Sequence, residues 1–311
     1  MRIAVFGAGA VGGYFGARLA HAGEDVVFIA RGAHLEALRQ SGLYVESPLG
    51  DFRIHPAQAT DNPKEAGPVD VVLVGVKAWQ VPEVAPKMGP LFGPETFIVP
   101  LENGVEAPDQ LAAVWGRERV LGGLCRIIST VPEPGRIRHG GMEPYVAFGE
   151  LDGRPSERAE RLKAAFERAG VRAEVPADIH VALWEKFLFI APFAALGAVT
   201  RAPVGVLRSV PPLRRMLEDA IAEAFAVGRA RGVHLPDDAP ARTLALIDGM
   251  PPAGTTSMQR DIAAGKPSEL DYLAGAVVRM GEAAGVETPL HRFLYYALWP
   301  QERRARGELQ F

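Results

Sequence analysis

Residues 1–22 read MRIAVFGAGAVGGYFGARLAHA. A short apolar run, Ile3 to Phe6, leads directly into Gly7-Ala8-Gly9-Ala10-Val11-Gly12, and from there into Tyr14 to Ala22, whose spacing is helical. Glycines at these three places suit a strand that stops sharply and hands the chain to a helix. The first permits the tight turn, the second lets backbone approach a bound anion, and the third allows the helix to pack closely on the strand. The open N–H groups at the helix start favour a negatively charged ligand. This is the pattern of a dinucleotide pyrophosphate site, lined by Gly7, Ala8, Gly9, Ala10, Val11 and Gly12.

Outward from that turn the same alternation continues. Val26–Ala30, Val69–Val76 and Phe97–Leu101 are further β-branched runs separated by helical patterns, as expected of parallel strands joined by crossover helices. Polar residues gather at the strand ends, the edge where open α/β sheets bind ligands. In NAD-binding proteins the second strand ends in an acid that accepts from the ribose hydroxyl; here it ends in Arg31. A guanidinium can instead bind the 2′-phosphate of NADP(H) with charge-assisted hydrogen bonds, so NADP(H) is the expected cofactor. Lys77 follows the next strand, and Asn103-Gly104 the one after. Asn-Gly is also a common turn signal, but Asn62 and Asn103 are the only asparagines in the chain, and one of them falls at the ligand-binding edge.

From Val120 to Gly149 the pattern changes to strand-like runs broken by turns, PEPGRIRHGG among them. A helical stretch follows from Ser156 to Ala169, then a short strand near Val171–Val175. Pro176 and Asp178 announce a new helix, and nearly everything onward to Leu298 reads helical. The expected architecture is therefore α/β: an N-terminal Rossmann-type, NADP-binding domain over residues 1–175, then an all-α C-terminal domain over 176–311 that carries substrate and catalysis.

The bulk properties narrow the function classes. A length of 311 residues suits two domains. A net charge of −3, with no long run of like charges, gives no footprint for nucleic acid or an anionic membrane, and neither is expected as a partner. Cys125 is the single cysteine, so no internal disulfide can form, and no metal site is expected. The N-terminus lacks the basic and apolar segments of a leader, which points to the cytoplasm. The most apolar later stretch, Phe187–Val199, is interrupted by Pro192 and falls short of the roughly 20 residues a membrane helix needs. Apolar helices of this periodicity serve a core or an interface equally well, so a homodimer is compatible with the chain.

Two segments of the helical half carry chemistry. Trp184-Glu185-Lys186 precedes Phe187-Leu188-Phe189-Ile190. Burial among such residues lowers a lysine pKa toward the range useful for a general acid; the alternative is a stem lying on apolar surface with its head in water. Trp184 reads as core. Farther on, Thr255-Thr256-Ser257-Met258-Gln259-Arg260-Asp261 leads to Gly265-Lys266-Pro267-Ser268-Glu269-Leu270-Asp271-Tyr272. Pro267 and Ser268 look like a helix start, with Glu269 and Asp271 in a first turn that favours acids.

Taken together and in order, the glycine turn, Arg31, Lys77-Ala78-Trp79-Gln80, Asn103-Gly104, Trp184-Glu185-Lys186, Ser257 to Asp261 and Glu269 to Tyr272 resemble the ketopantoate reductase (2-dehydropantoate 2-reductase) family across essentially the whole chain. The resemblance implies NADPH-dependent reduction of a small 2-oxo acid, ketopantoate, to pantoate, in a cleft between the two domains. It also implies roles. Lys186 is the proton donor and binds substrate, Glu269 hydrogen-bonds near that lysine and the cofactor or substrate hydroxyl, and Ser257 binds substrate. Asn103 lies between nicotinamide ribose and substrate, and Lys77 beside the cofactor. Well-known members carry asparagines four and eight residues after the lysine, where this chain has Ile190 and Ala194; another, just after a proline, is replaced by Val204. Each lost hydrogen bond to a charged ligand group costs about 1.5 to 3 kcal/mol, which implies a different substrate or a different mode of binding. Other readings of the same features are an NADP-linked β-hydroxyacid dehydrogenase, which also uses a helix-borne lysine, and an NADP-binding sensor without turnover.

Overall fold

The computed structural model describes residues 1–311. The chain separates into two compact units, Met1–Glu102 with Glu106–Ile179, and Asn103–Val105 with His180–Phe311. The first is built from β1 (Arg2–Phe6), α1 (Ala10–His21), β2 (Asp25–Ile29), α2 (Gly32–Ser41), β3 (Leu43–Glu46), β4 (Phe52–Ile54), β5 (Gln58–Thr60), α3 (Pro63–Ala66), β6 (Val69–Val74), α4 (Val81–Val84) and β7 (Phe92–Pro100). It continues through α5 (Ala107–Trp115), β8 (Leu121–Arg126), β9 (Ser129–Glu133), β10 (Arg136–His139), β11 (Tyr145–Glu150), α6 (Glu157–Arg168) and β12 (Arg172–Glu174).

Five of these strands form one parallel sheet in the order β5-β2-β1-β6-β7. The chain winds outward from β1 in both directions, the doubly wound plan of a Rossmann-type sheet. Strands covered on both faces must be apolar without alternation, and β6, VDVVLV, is buried at every position but Asp70. Near β7, Val120 bridges to Ile98, and β8 pairs antiparallel with β11, which β12 joins in parallel. A second, four-stranded sheet, β4-β3-β10-β9, draws on two distant stretches of chain, with Tyr44 opposite Arg136 and Val45 opposite Ile137. None of β3, β4 and β5 stands out in the sequence. Phe15 and Phe166 meet edge to face, with centroids 6.0 Å apart, in the core of this unit. Ser156 caps α6 by accepting from the Ala159 N–H.

The second unit is helical: α7 (Ile179–Thr200), whose first residue groups with the first unit, α8 (Val204–Ser209), α9 (Pro211–Ala230), α10 (Ala239–Asp248), α11 (Ser257–Ala263), α12 (Ala274–Ala284) and α13 (Pro289–Ala305). Two expectations change here. Pro192 does not interrupt the apolar stretch: α7 runs through it for 22 residues, long and apolar enough to cross a bilayer by length and composition alone. Its most apolar window is 72% buried, and Phe187, Leu188, Ala191, Phe193, Ala194, Ala195 and Leu196 belong to the core of this unit. That packing outweighs the one backbone hydrogen bond a proline removes.

Pro267 and Ser268 do not start an α-helix either. Only a 3₁₀ turn, Leu270–Tyr272, follows them, and α12 begins at Ala274. The reason is tertiary. The buried carboxylate of Glu302, on α13, accepts from the Ser268 N–H at 3.1 Å and from its hydroxyl at 2.5 Å, while Ser268 Oγ accepts from the Leu270 N–H at 3.3 Å, so this segment is tied to α13 and only a short turn follows.

Candidate active site

The glycine turn has the geometry its spacing predicts. Gly7 sits at φ +97° with its N–H on the Ile29 carbonyl, and a side chain there would meet Val76 at 2.7 Å. A Cβ on Gly12 would fall 2.1 Å from the Gly7 carbonyl oxygen, and one on Gly75 would fall 2.8 Å from the Gly12 Cα. Gly75, just after β6, packs against this turn and is a residue that sequence reasoning missed; the signal was a glycine at the end of a strand. Gly9 differs from all of these. It precedes α1 in ordinary extended backbone, makes no side-chain cap, and has no atom within 4 Å of where its Cβ would be. Nothing in the chain requires a glycine at that place. Space kept clear at the N-terminus of a 12-residue helix, with no acid in its first turn, fits the pyrophosphate of a dinucleotide.

Arg31 is exposed immediately after β2 and Ala30, as the residue before α2. Glu83 feels its charge: the Lys87 ammonium, first, and Arg31 more weakly hold that carboxyl below its ordinary range. Lys77 follows β6, half-buried, with its N–H donating to Gln80 Oε1 at 3.1 Å and its ammonium 5.7 Å from the Trp79 ring centre. These residues and the glycine turn all belong to the first unit.

The second unit gathers Asn103, Lys186, Ser257 and Glu269. Two of them touch. Asn103 Nδ2 donates to Glu269 Oε2 at 2.9 Å, and Glu269 is only 5% exposed. Gly104, at φ +100°, leaves just 3.0 Å between its Cβ position and the Tyr272 carbonyl, so the Asn-Gly turn lies flat on the segment that carries Glu269. That segment is anchored from behind. Both oxygens of Asp271 accept from Arg303, at 2.8 and 2.7 Å, and one also accepts from the Tyr295 hydroxyl at 2.8 Å. Burial first, and Asp271 second, push the Tyr295 phenol up to about 12. Asp271 therefore supports the segment that presents Glu269.

Lys186 is half-buried on α7, between the buried Trp184 and Phe187. Ser257, also half-buried, is the first residue of α11, and the preceding Thr256 makes the cap by accepting from the Gln259 N–H at 3.1 Å. Of the three positions where well-known ketopantoate reductases carry asparagine, Ala194 and Val204 are wholly buried in the helical core, and Ile190 alone keeps some exposure. No three His, Cys, Asp or Glu side chains come together in a way that could hold a metal ion.

Comparison with known proteins gives two adjoining family matches. Residues 3–153 match the model described as ketopantoate reductase PanE/ApbA, and residues 178–302 match its C-terminal counterpart. A Bacillus subtilis protein described as uncharacterized oxidoreductase YkpB is 32% identical over 297 residues, covering 95% of this chain and 97% of that protein. The 2-dehydropantoate 2-reductase of Mesorhizobium japonicum is 32% identical over 312 residues, covering 93% and 94%. Among solved structures, a PanE/ApbA family ketopantoate reductase from Ralstonia eutropha JMP134 superimposes with a TM-score of 0.90 at 33% identity, covering 98% of this chain and all of that one.

Proposed function

Because the chain belongs to the ketopantoate reductase family, we propose that this NADP-dependent oxidoreductase reduces the keto group of 2-dehydropantoate to give pantoate, a step of pantothenate biosynthesis. The observation that carries the reading is the Asn103–Glu269 pair at 2.9 Å, which joins the two family motifs flanking the chemistry and belongs to the same unit as Lys186. NADPH, when bound, supplies the hydride. The loop from Gly7 to Gly12 binds its pyrophosphate with backbone N–H groups, and Arg31 takes the 2′-phosphate. Lys77 lies beside the cofactor.

Lys186 donates a proton from Nζ to the carbonyl oxygen, and its positive charge stabilises the alkoxide that develops there. Glu269, with one carboxylate oxygen fixed by the Asn103 amide, accepts a hydrogen bond from a hydroxyl of substrate or cofactor and orients the reacting carbonyl. The Ser257 hydroxyl holds the substrate. A second reading is favoured by Ile190: an apolar residue one turn beyond Lys186 suits a 2-oxo acid with a more apolar tail.

The test is NADPH oxidation, followed by absorbance, with ketopantoate beside branched 2-oxo acids and with NADH as the alternative cofactor. NADPH-specific turnover of ketopantoate is the expected outcome. Turnover confined to a more apolar 2-oxo acid selects the second reading, and absence of turnover with every acid overturns both.

A further inference from the structure

One titratable group beside the glycine turn has no task in the chemistry above. His34 lies in the first turn of α2, three residues after Arg31. Its Nδ1 accepts from the backbone N–H of Gly135 at 3.1 Å, in the turn between β9 and β10. That turn is pressed onto α2: the Cβ position of Gly135 is 3.0 Å from the Ala37 Cβ. It is also tied to β3, because the Gly135 carbonyl accepts from the Tyr44 N–H at 2.9 Å. An imidazole nitrogen that accepts cannot also carry a proton, so the neutral ring holds its proton on Nε2.

Nε2 is buried without a hydrogen-bond partner, and the backbone of Ala8, second residue of the glycine turn, lies beside the ring. Burial, the larger influence, keeps the ring below its ordinary pKa, in accord with a neutral side chain. The same small sheet bears on α1 as well. The Cβ position of Gly13 is 3.0 Å from Ile137 Cδ1, and the Tyr14 ring lies 4.9 Å from that of His139. His139 is itself fixed at both nitrogens, by Ser47 Oγ at 2.9 Å and the Met142 carbonyl at 2.6 Å. The small sheet thus grips the start of α1 directly, and His34, on α2, links its β9–β10 turn to the backbone of Ala8.

We propose that His34 is a positioning residue for the dinucleotide: with Nδ1 fixed by Gly135, the buried Nε2 edge of its ring packs beside the Ala8 backbone and holds the turn at the spacing the pyrophosphate requires. The role concerns the half of the cofactor that NADPH and NADH share. Arg31, by contrast, concerns the 2′-phosphate that only NADPH has. The inference rests on the reading of Gly7–Gly12 as a dinucleotide site.

The experiment is a fluorescence titration of NADPH and of NADH into the wild type, His34→Leu and His34→Gln, with melting midpoints of the three unliganded proteins and an imidazole ¹⁵N spectrum of the wild type. His34→Leu, which removes the acceptor for the Gly135 N–H and so loosens the ring beside Ala8, should weaken both cofactors by the same factor, about tenfold. His34→Gln, whose amide can accept and donate, should recover most of it. The spectrum should show a neutral ring protonated on Nε2.

Unchanged affinities in His34→Leu overturn the proposal, as does a lowered melting midpoint with unchanged affinities, which is the mark of a purely structural residue. A proton on Nδ1 at neutral pH overturns it too, and that result does not depend on any variant folding. A wild type that binds neither cofactor removes the dinucleotide reading and this inference with it. Wild-type binding that His34→Leu leaves intact removes this inference alone.

Discussion

At the scale of the residue, the glycine turn separates two reasons for a glycine. Gly12 is required by the protein, since any Cβ would sit 2.1 Å from the Gly7 carbonyl oxygen. Gly9 is not, because its backbone is ordinary and its Cβ would meet nothing. Gly9→Ala should leave the stability of the unliganded protein within about 0.5 kcal/mol of wild type while weakening NADPH severalfold. Gly12→Ala should destabilise by about 1 to 3 kcal/mol before any ligand is added. Parallel thermal melts and cofactor titrations distinguish the two, and a Gly9→Ala that binds as wild type would falsify the assignment of that space to pyrophosphate. Lys186 has the complementary signature. Lys186→Ala should lower kcat by about a hundred- to ten-thousandfold, the usual contribution of a positioned acid, with the NADPH dissociation constant unchanged. Equal losses in both would place the lysine in cofactor binding.

At the scale of the element, the helical unit is ordered by carboxylates acting across helices. Glu302 holds Ser268, Asp271 holds Arg303 and Tyr295, and Glu223 on α9 takes up the start of α13. Its two oxygens accept from the N–H groups of Leu290 and His291, at 2.8 and 2.9 Å, and one faces His291 Nδ1 at 2.8 Å. Burial alone would push the Glu223 carboxyl up, but the His291 ring and those backbone N–H groups prevail and hold it below its ordinary 4.5. A carboxyl depressed on folding stabilises the native state above its unfolded pKa. That stabilisation is lost as pH falls through the folded value. Glu223→Gln should therefore cost about 1 to 2 kcal/mol at neutral pH, by loss of a charged helix cap. The gap between mutant and wild type should close as pH falls from about 5 toward the depressed folded value, as urea midpoints at each pH would show. A gap that stays constant across that range would assign the loss to packing. The same logic explains why Pro267-Ser268 misleads: a cap motif is local chemistry, and a buried carboxylate on another helix can hold the segment in a different conformation.

At the scale of the whole molecule, a ligand held by the native state stabilises it by mass action. NADPH at a hundred times its dissociation constant should raise the stability of the unit that binds it by about 2.7 kcal/mol, and NADH at the same concentration by clearly less. Arg31→Ala should abolish the difference between the two, and thermal shifts with each cofactor measure it; equal shifts in the wild type would mean that Arg31 does not read the 2′-phosphate. The sequence by itself determined the individual strands β1, β2, β6 and β7, the glycine turn between β1 and α1, and the helical second half. All of these depend on neighbours within a turn, a strand or a helix, and periodicity and glycine spacing record such relations directly. Only the tertiary structure decided the rest. The small sheet pairs Val45 with Ile137, the Asn103 amide finds Glu269 across 166 residues of chain, and α7 continues through Pro192 because a core surrounds it. Ala194 and Val204 proved to be core residues for the same reason. Pairings at such separations depend on which surfaces the packed chain brings together, and no local pattern encodes that.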